Sequence, residues 1–148
     1  MATSSGNESR GAVFTRSEVV NFILDLVGYT EDRPLLNKRL LEPSFGGGDF
    51  LFPVVSRLLS VWRGTNEGGT SLDNLCDAIK AVELHRPTYD LTRTKVIAFL
   101  IEEGFAEKTA VLLADNWLIQ DDFLLTPLSG QFDYVVGNPP YVRQENIP

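Results

Sequence analysis

The stretch Glu42-Pro43-Ser44-Phe45-Gly46-Gly47-Gly48-Asp49-Phe50 restricts the fold of this chain more than any other. It follows a short apolar run, Arg39-Leu40-Leu41, and precedes a segment in which Leu51, Val54, Val55, Leu58, Leu59 and Trp62 recur at helical spacing. Three consecutive glycines permit a tight strand-to-helix turn whose backbone can approach a ligand closely, since no side chain stands in the way. Pro53 lies near enough to the helix start to be tolerated. A strand, a glycine turn and a helix open an α/β sheet of the kind that binds ligands at the carboxyl ends of its strands. Leu51 stands where a G-x-G-x-x-G fingerprint requires its last glycine, which counts against a nicotinamide or flavin dinucleotide. Glu42, at the tip of the strand, suits an ammonium group better than a phosphate.

The same unit recurs downstream. Ile79-Lys80-Ala81-Val82-Glu83 reads as a second strand ending in an acid, and a carboxylate there commonly accepts ribose hydroxyls in such folds; the plainer reading of Glu83 is a solvated strand end. Thr88 is expected to cap a helix running to about Glu103, with Tyr89, Val96, Phe99 and Leu100 buried, and Ala110, Leu113, Ala114 and Trp117 mark another helix. Leu118-Ile119 begins a third strand that Asp121-Asp122-Phe123 closes. Tyr134-Val135-Val136 forms a fourth β-prone run, Gly137 turns the chain, and Asn138-Pro139-Pro140-Tyr141 follows. The two prolines stiffen that turn and remove two amide donors. What remains is a rim of acceptors: the Asn138 side-chain oxygen and the Pro139 carbonyl suit one planar amino group, and Tyr141 offers a flat face for stacking. The alternative is a proline-stiffened turn without chemistry.

Ahead of the first strand, Thr15-Arg16-Ser17-Glu18 matches a capping box. Val19, Phe22, Ile23 and Leu26 supply the expected packing stripe of the helix that follows, Val20 and Val27 widen it, and Gly28 offers a stop. Residues 1–12 read as a disordered tail, the segment from Thr30 to Lys38 as a polar turn, and residues 64–74 as a flexible surface loop.

Composition narrows the classes. A chain of 148 residues, 43% of them hydrophobic, has the size and apolar content of one domain. No apolar run approaches the roughly 20 residues that span a bilayer, and the polar start lacks a signal-peptide core, so a cytoplasmic protein with no membrane partner is expected. Cys76 and His85 are each single, which excludes an internal disulfide and a zinc site of cysteines and histidines; no metal is expected, and Cys76 reads as buried and inert. The net charge is −7. A surface that grips nucleic acid normally carries a basic patch, so any DNA would be held mainly by residues outside this chain.

Taken in order, the capped helix, EPSFGGGDF, VEL, DDF and NPPY resemble the N6-adenine DNA methyltransferases of restriction-modification systems, over the span from Thr15 to Val142. The resemblance implies a Rossmann-like α/β fold in three αβα layers. Such a sheet has seven strands, of which about four are countable here, so residues 13–148 are expected to be the cofactor-binding part of a methyltransferase domain, truncated after the catalytic motif as an amino-terminal fragment. The implied cofactor is S-adenosylmethionine. Thr15 falls where the family touches its methionine end, Glu42, Ser44, Gly46 and Gly48 lie in the first cofactor motif, Glu83 and Leu84 in the second, and Asp122 and Phe123 meet the adenine amino group and ring. Asn138, Pro139, Pro140 and Tyr141 match the catalytic motif, which acts on a base flipped out of double-stranded DNA. The far edge of residues 133–136 is expected to be unpaired, exposing Val135 and Val136 to self-association. The alternatives are a cofactor-binding or interaction module without activity of its own, and methylation of a protein glutamine amide or an RNA base.

Overall fold

A computed structural model describes residues 14–65 and 72–137. The expected tail at 1–12, the centre of the expected surface loop and the whole Asn138-Pro139-Pro140-Tyr141 motif lie outside the described residues. Four strands, β1 (Leu40–Glu42), β2 (Ile79–Glu83), β3 (Leu118–Gln120) and β4 (Tyr134–Val135), form one parallel sheet in the order β3-β2-β1-β4. In register, Glu42 lies opposite Ala81, and Glu83 opposite Gln120. All of β1 and nearly all of β2 is buried, which explains why both read as continuous apolar runs and not as alternating ones.

Parallel neighbours need long crossovers, and helices supply them. Helices α2 (Leu51–Thr65) and α3 (Leu72–Asp77) connect β1 to β2, while α4 (Arg86–Glu102) and α5 (Glu107–Trp117) connect β2 to β3. The connection from β3 to β4 carries a 3₁₀ turn, Phe123–Leu125, and sets β4 on the other side of β1. Strand order therefore reverses between β1 and β4, and such a switch point is where open α/β sheets leave a crevice for ligands.

Arg39 holds this return in place. Its guanidinium donates to the carbonyls of Ser129 and Gln131 and lies 4.3 Å from the centre of the Phe132 ring. Its backbone amide donates to the Asp133 carboxylate, and its carbonyl accepts from the amides of Asp133 and Tyr134. A Cβ at Gly130 would stand 2.6 Å from the Arg39 Nη1, so the loop closes on the guanidinium only because that residue is glycine, at φ +81°.

The leading helix, α1 (Arg16–Val27), starts with the expected capping box: Thr15 Oγ1 accepts from the Glu18 amide, and the Glu18 carboxylate accepts from the Thr15 amide. Gly28 ends it in the left-handed conformation. The packing face differs from the expected one. Val20 and Leu24 are the buried residues, whereas Val19, Phe22, Leu26 and Val27 are 43, 64, 72 and 43% exposed. Apolar residues cover most of the helix circumference, and the fold buries only part of it.

Four other expectations are corrected. The segment from Thr30 to Lys38 contains a 3₁₀ turn, Leu35–Asn37, whose Leu35 is fully buried. Part of the expected loop at 64–74 is helical, since α2 continues to Thr65 and α3 starts at Leu72. Helix α4 starts at Arg86 with His85 as its N-cap, because Pro87 fits a first helical turn; Thr88 lies inside it and pairs with His85 Nδ1 at 2.7 Å. At the β4 edge Val135 is 62% exposed, but Val136 is buried.

Of the residues expected to be buried in α4, Val96 and Leu100 are, whereas Tyr89 and Phe99 are half-buried, as is Trp62 at the end of the α2 stripe; elsewhere periodicity predicts burial well. Leu51, Val54, Val55, Leu58 and Leu59 of α2 are fully buried, as are Ala110, Leu113, Ala114 and Trp117 of α5, and the Trp117 indole donates to the Leu75 carbonyl at 2.9 Å. Cys76 is buried among them, and burial followed by the nearby Asp73 and Asp77 pushes its thiol pKa up, in keeping with an inert thiol. Two adjacent leucines of α5 test the packing. Leu113→Ala should lower the unfolding free energy by about 2–5 kcal/mol, while Leu112→Ala, at a position 46% exposed, should change it by about 0.5 kcal/mol or less; urea unfolding followed by circular dichroism measures both.

Candidate active site

The carboxyl ends of the strands collect the residues that the sequence marks. Glu42 ends β1, Glu83 ends β2 with Leu84 next, Asp121 and Asp122 follow β3, and Gly137 follows β4 just before Asn138. Asn138, Pro139, Pro140 and Tyr141 themselves lie outside the described residues.

The glycine turn is anchored at several points. The Phe45 amide donates to the Val82 carbonyl, and the Gly46 amide donates to Glu83 Oε1 at 2.8 Å. Thr92, 1% exposed in the middle of α4, donates its hydroxyl to the Gly46 carbonyl at 2.6 Å. Gly46 and Gly48 have φ of +52° and +95°, which disfavours any other residue. A Cβ at Gly48 would overlap the Phe52 ring at 2.4 Å, so that glycine serves the packing of turn on helix. At Gly46 and Gly47 a Cβ would meet nothing within 4 Å: here the bare backbone borders open space. Ser44 beside it is half-buried.

Glu83 is buried, and both its oxygens are engaged, Oε1 by the Gly46 amide and Oε2 by the His85 amide at 3.0 Å. It ties the glycine turn to β2, a structural role that periodicity does not reveal, and an ionised carboxylate retains further lone pairs for a ligand. The strand tips of β2 and β3 are joined by Gln120, whose amide donates to the Leu84 carbonyl, and by the Asp121 amide, which donates to the Glu83 carbonyl. The Leu84 side chain is 62% exposed, and Phe123 is half-buried on the adjoining tip. Asp122 caps the turn that starts at Phe123, accepting from the Leu124 amide at 3.0 Å. Thr15 belongs to the same end of the molecule, because its neighbour Arg16 forms an exposed ion pair with Asp49 of the glycine turn at 3.0 Å. Between α1 and this turn lies a cleft of about 440 Å³ lined by Phe14, Arg16, Val19, Val20, Ile23 and Phe50. A larger cleft of about 610 Å³, lined by residues such as Asn21, Asp25 and Arg57, contains none of the marked residues.

Glu42 is the chemically unusual member. It is 1% exposed, and its Oε1 has no hydrogen-bond partner among the described residues. Burial, followed by the nearby Asp49 and Glu83 carboxylates, pushes its pKa up to about 8. A Cβ at Gly137 would stand 3.1 Å from Glu42 Cγ, and Gly137 has φ +141°, so the backbone that leads into Asn138 packs directly on this acid because it carries no side chain. The Val136 amide, donating to the Leu41 carbonyl at 3.0 Å, fixes that approach. Glu42 is thus a buried acid at the switch point, close to other acids, with one oxygen free among the described residues.

Sequence reasoning missed Thr92 and Arg39 as parts of this arrangement. Thr92 has a detectable signal: a hydroxyl on the stripe of Thr92, Val96 and Leu100, which are all buried on one helical face. Arg39 has none, since its partners lie about ninety positions away along the chain.

The pKa of Glu42 sets the sign of a stability effect. Its folded value of about 8 exceeds its ordinary 4.5, so between these pH values the folded chain holds a proton that the unfolded chain has released. This group's contribution is therefore greatest below pH 4.5 and is lost as pH rises towards 8, by roughly 1.4 kcal/mol per pH unit, or on the order of 3 kcal/mol by pH 7. Glu42→Gln cannot titrate. Urea unfolding between pH 5 and 8 should show a steeper loss of stability in the parent than in the variant, the two curves diverging with rising pH.

The chain matches the model of the Eco57I restriction-modification methylase family over residues 60–148. It is 64% identical over 148 residues to the Type II methyltransferase M.PaeR7I of Pseudomonas aeruginosa, an alignment covering 100% of this chain and 26% of that protein. It is 49% identical over 142 residues to M.XhoI of Xanthomonas vasicola, covering 95% of the chain and 26% of the relative, and 42% identical over 152 residues to M.BstVI of Geobacillus stearothermophilus, covering 99% and 27%. The chain thus spans about a quarter of the length of these relatives. With its parallel α/β sheet flanked by helices, it belongs to the Eco57I restriction-modification methylase family.

Proposed function

We propose that the chain binds S-adenosylmethionine at the strand tips and that, in a chain of its relatives' length, it methylates the N6 amino group of adenine in double-stranded DNA. The observation that carries the reading is Glu42, a buried acid with an oxygen unpartnered among the described residues, beneath the backbone that leads into Asn138. S-adenosylmethionine is cationic at its methionine end and has no phosphate, so acids at the strand tips suit it where they would repel a dinucleotide. Glu42 takes the ammonium group, while Thr15, Ser44, Gly46 and Gly48 border the methionine end. The spare lone pairs of Glu83 take ribose hydroxyls with Leu84 beside them, and Asp122 and Phe123 hold the adenine. The bound cofactor supplies an activated methyl group.

The residues of this chain then act on the target. The adenine amino lone pair is delocalised into its ring, which makes the nitrogen a weak nucleophile. The Asn138 side-chain oxygen and the Pro139 carbonyl accept its two N–H bonds and favour a pyramidal nitrogen. Pro140 stiffens the turn, and Tyr141 stacks on the extruded base. Alignment of nitrogen and methyl group contributes the rest. Relatives named Type II methyltransferases support methyl transfer, and the NPPY sequence supports an amino group as its target.

Titration calorimetry tests the cofactor site in the 148-residue chain. The parent should bind S-adenosylmethionine and release about one proton at pH 7 as Glu42 ionises against the cation, which titrations in two buffers of different ionisation heat reveal. Glu42→Gln should bind about 1.5–3 kcal/mol more weakly and release no proton from this group. Absence of heat with the parent at millimolar cofactor refutes the proposal.

The chemistry requires the longer chain, so a chimera joins these residues to the remainder of the Pseudomonas aeruginosa relative. Asn138→Ala in it should raise the barrier by about 3 kcal/mol, or roughly a hundredfold in single-turnover rate, with cofactor affinity unchanged. Methyl incorporation into adenine of duplex DNA is the expected product. Incorporation into RNA or a glutamine-containing peptide instead identifies the alternative substrates.

A further inference from the structure

Helix α1 carries two apolar faces, and the described fold covers one. Val20 and Leu24 are buried, whereas Val19, Phe22 and Leu26, at the i, i+3, i+7 spacing of a single face, are 43, 64 and 72% exposed. Phe14, 66% exposed, extends this stripe beyond the capping box, and together with Glu18, Val19 and Phe22 it lines a shallow cleft of about 320 Å³. A helix apolar over most of its circumference is normally enclosed by protein. The end of α1 adjoins the sheet: the Tyr134 hydroxyl donates to the Gly28 carbonyl, and its ring packs edge-on against Tyr29 at 5.1 Å. Tyr134 belongs to β4, which pairs only with β1 among the described residues and exposes Val135 on its edge.

We infer that the outer face of α1 is the packing surface for the part of a relative-length chain that these residues do not span, docked beside the open edge of β4. Two observations select this occupant over a second copy. Relatives matched along 100% and 95% of this chain devote only 26% of their length to it, so roughly three quarters of such a protein lies elsewhere. The surface itself is small: four apolar side chains and a two-residue strand compare poorly with the about 20–30 residues per partner of a standard interface between separate proteins. Covalent continuity removes most of the entropic cost of association, and a patch of this size then suffices. Phe14 and Val19 also line the cleft beside the glycine turn, whereas Phe22 and Leu26 do not, so the test rests on those two.

Thiol labelling in two chain lengths tests it. Phe22→Cys, Leu26→Cys and, as a control on the exposed face of α5, Leu112→Cys are each placed in the 148-residue chain and in the chimera with the Pseudomonas aeruginosa relative; buried Cys76 gives the blank. Cysteines at 22 and 26 should react rapidly with a maleimide in the short chain and at least tenfold more slowly in the chimera, while that at 112 reacts alike in both. A second measurement needs no label. Phe22→Asp combined with Leu26→Asp should leave the urea midpoint of the short chain unchanged and lower that of the chimera. Equal labelling at 22 and 26 in both lengths, or an unchanged chimera midpoint, overturns the inference. Protection in the short chain that grows with concentration, with a dimer in sedimentation, also overturns it and assigns the face to a second copy.

Discussion

An acid shut away from water, with one oxygen unpaired among the described residues, sits at the point on which the rest of the site converges. Leaving a buried polar group without a partner costs about 1–3 kcal/mol, and more when it is charged. Glu42 pays this because β1 lies between β2 and β4, so its tip is enclosed from both sides, and because Gly137 brings the β4 backbone against its side chain. A packing requirement alone would be met by leucine or methionine at this position, with no desolvation to offset. Retaining a carboxyl there makes sense when something positive completes it, and stability traded for a ligand-ready site is a recurrent property of binding centres.

Glu83, at the tip of the next strand, has the same functional group and a different task. Both its oxygens accept backbone amides, one from the glycine turn and one from the start of α4. Thr92, from further along α4, holds the carbonyl of the same Gly46 whose amide Glu83 holds. One peptide segment is thus fixed from two directions by two buried side chains, and the positive φ that Gly46 adopts is kept without any side chain of its own. With Glu83 building the turn, the turn can present bare backbone next to Glu42.

Local sequence carried much of this. The capping box at Thr15 and Glu18, the bounds of β2 and the buried faces of α2 and α5 follow from spacing alone, because each depends on neighbours within a few positions. What differs is mostly a matter of tertiary context. Apolar residues surround most of α1, and spacing cannot say which part of it the fold buries. The start of α4 is a local competition: threonine favours a cap position, but Pro87 starts the helix sooner. Leu35 hid in a polar segment, and the contacts of Arg39 bridge segments far apart in sequence. The acids at the strand tips are legible as positions, but only the hydrogen bonds of the folded chain separate Glu42, with an oxygen unpaired among the described residues, from Glu83, both of whose oxygens accept backbone amides.

The charge pattern of the sheet bears on how such a site meets DNA. Glu42, Glu83, Asp121 and Asp122 stand over β1, β2 and β3, and the chain as a whole carries −7. A region so rich in acids disfavours phosphates, Glu42 adding to this only once it has lost the proton that burial retains, whereas a cofactor with a cationic end is favoured. Asn138 follows β4, at the opposite end of the order β3-β2-β1-β4. On the proposed reading the cofactor therefore lies across the acid-bearing tips and the extruded base arrives from the β4 side, so that the two ligands are sorted by charge before they meet. Extruding a base costs a few kcal/mol, and backbone contacts elsewhere must offset it. The end of α1 meets β4 on that same side, through the Tyr134 hydroxyl on the Gly28 carbonyl. On the inference drawn above, what packs against the outer face of α1 therefore lies next to the strand that leads into Asn138.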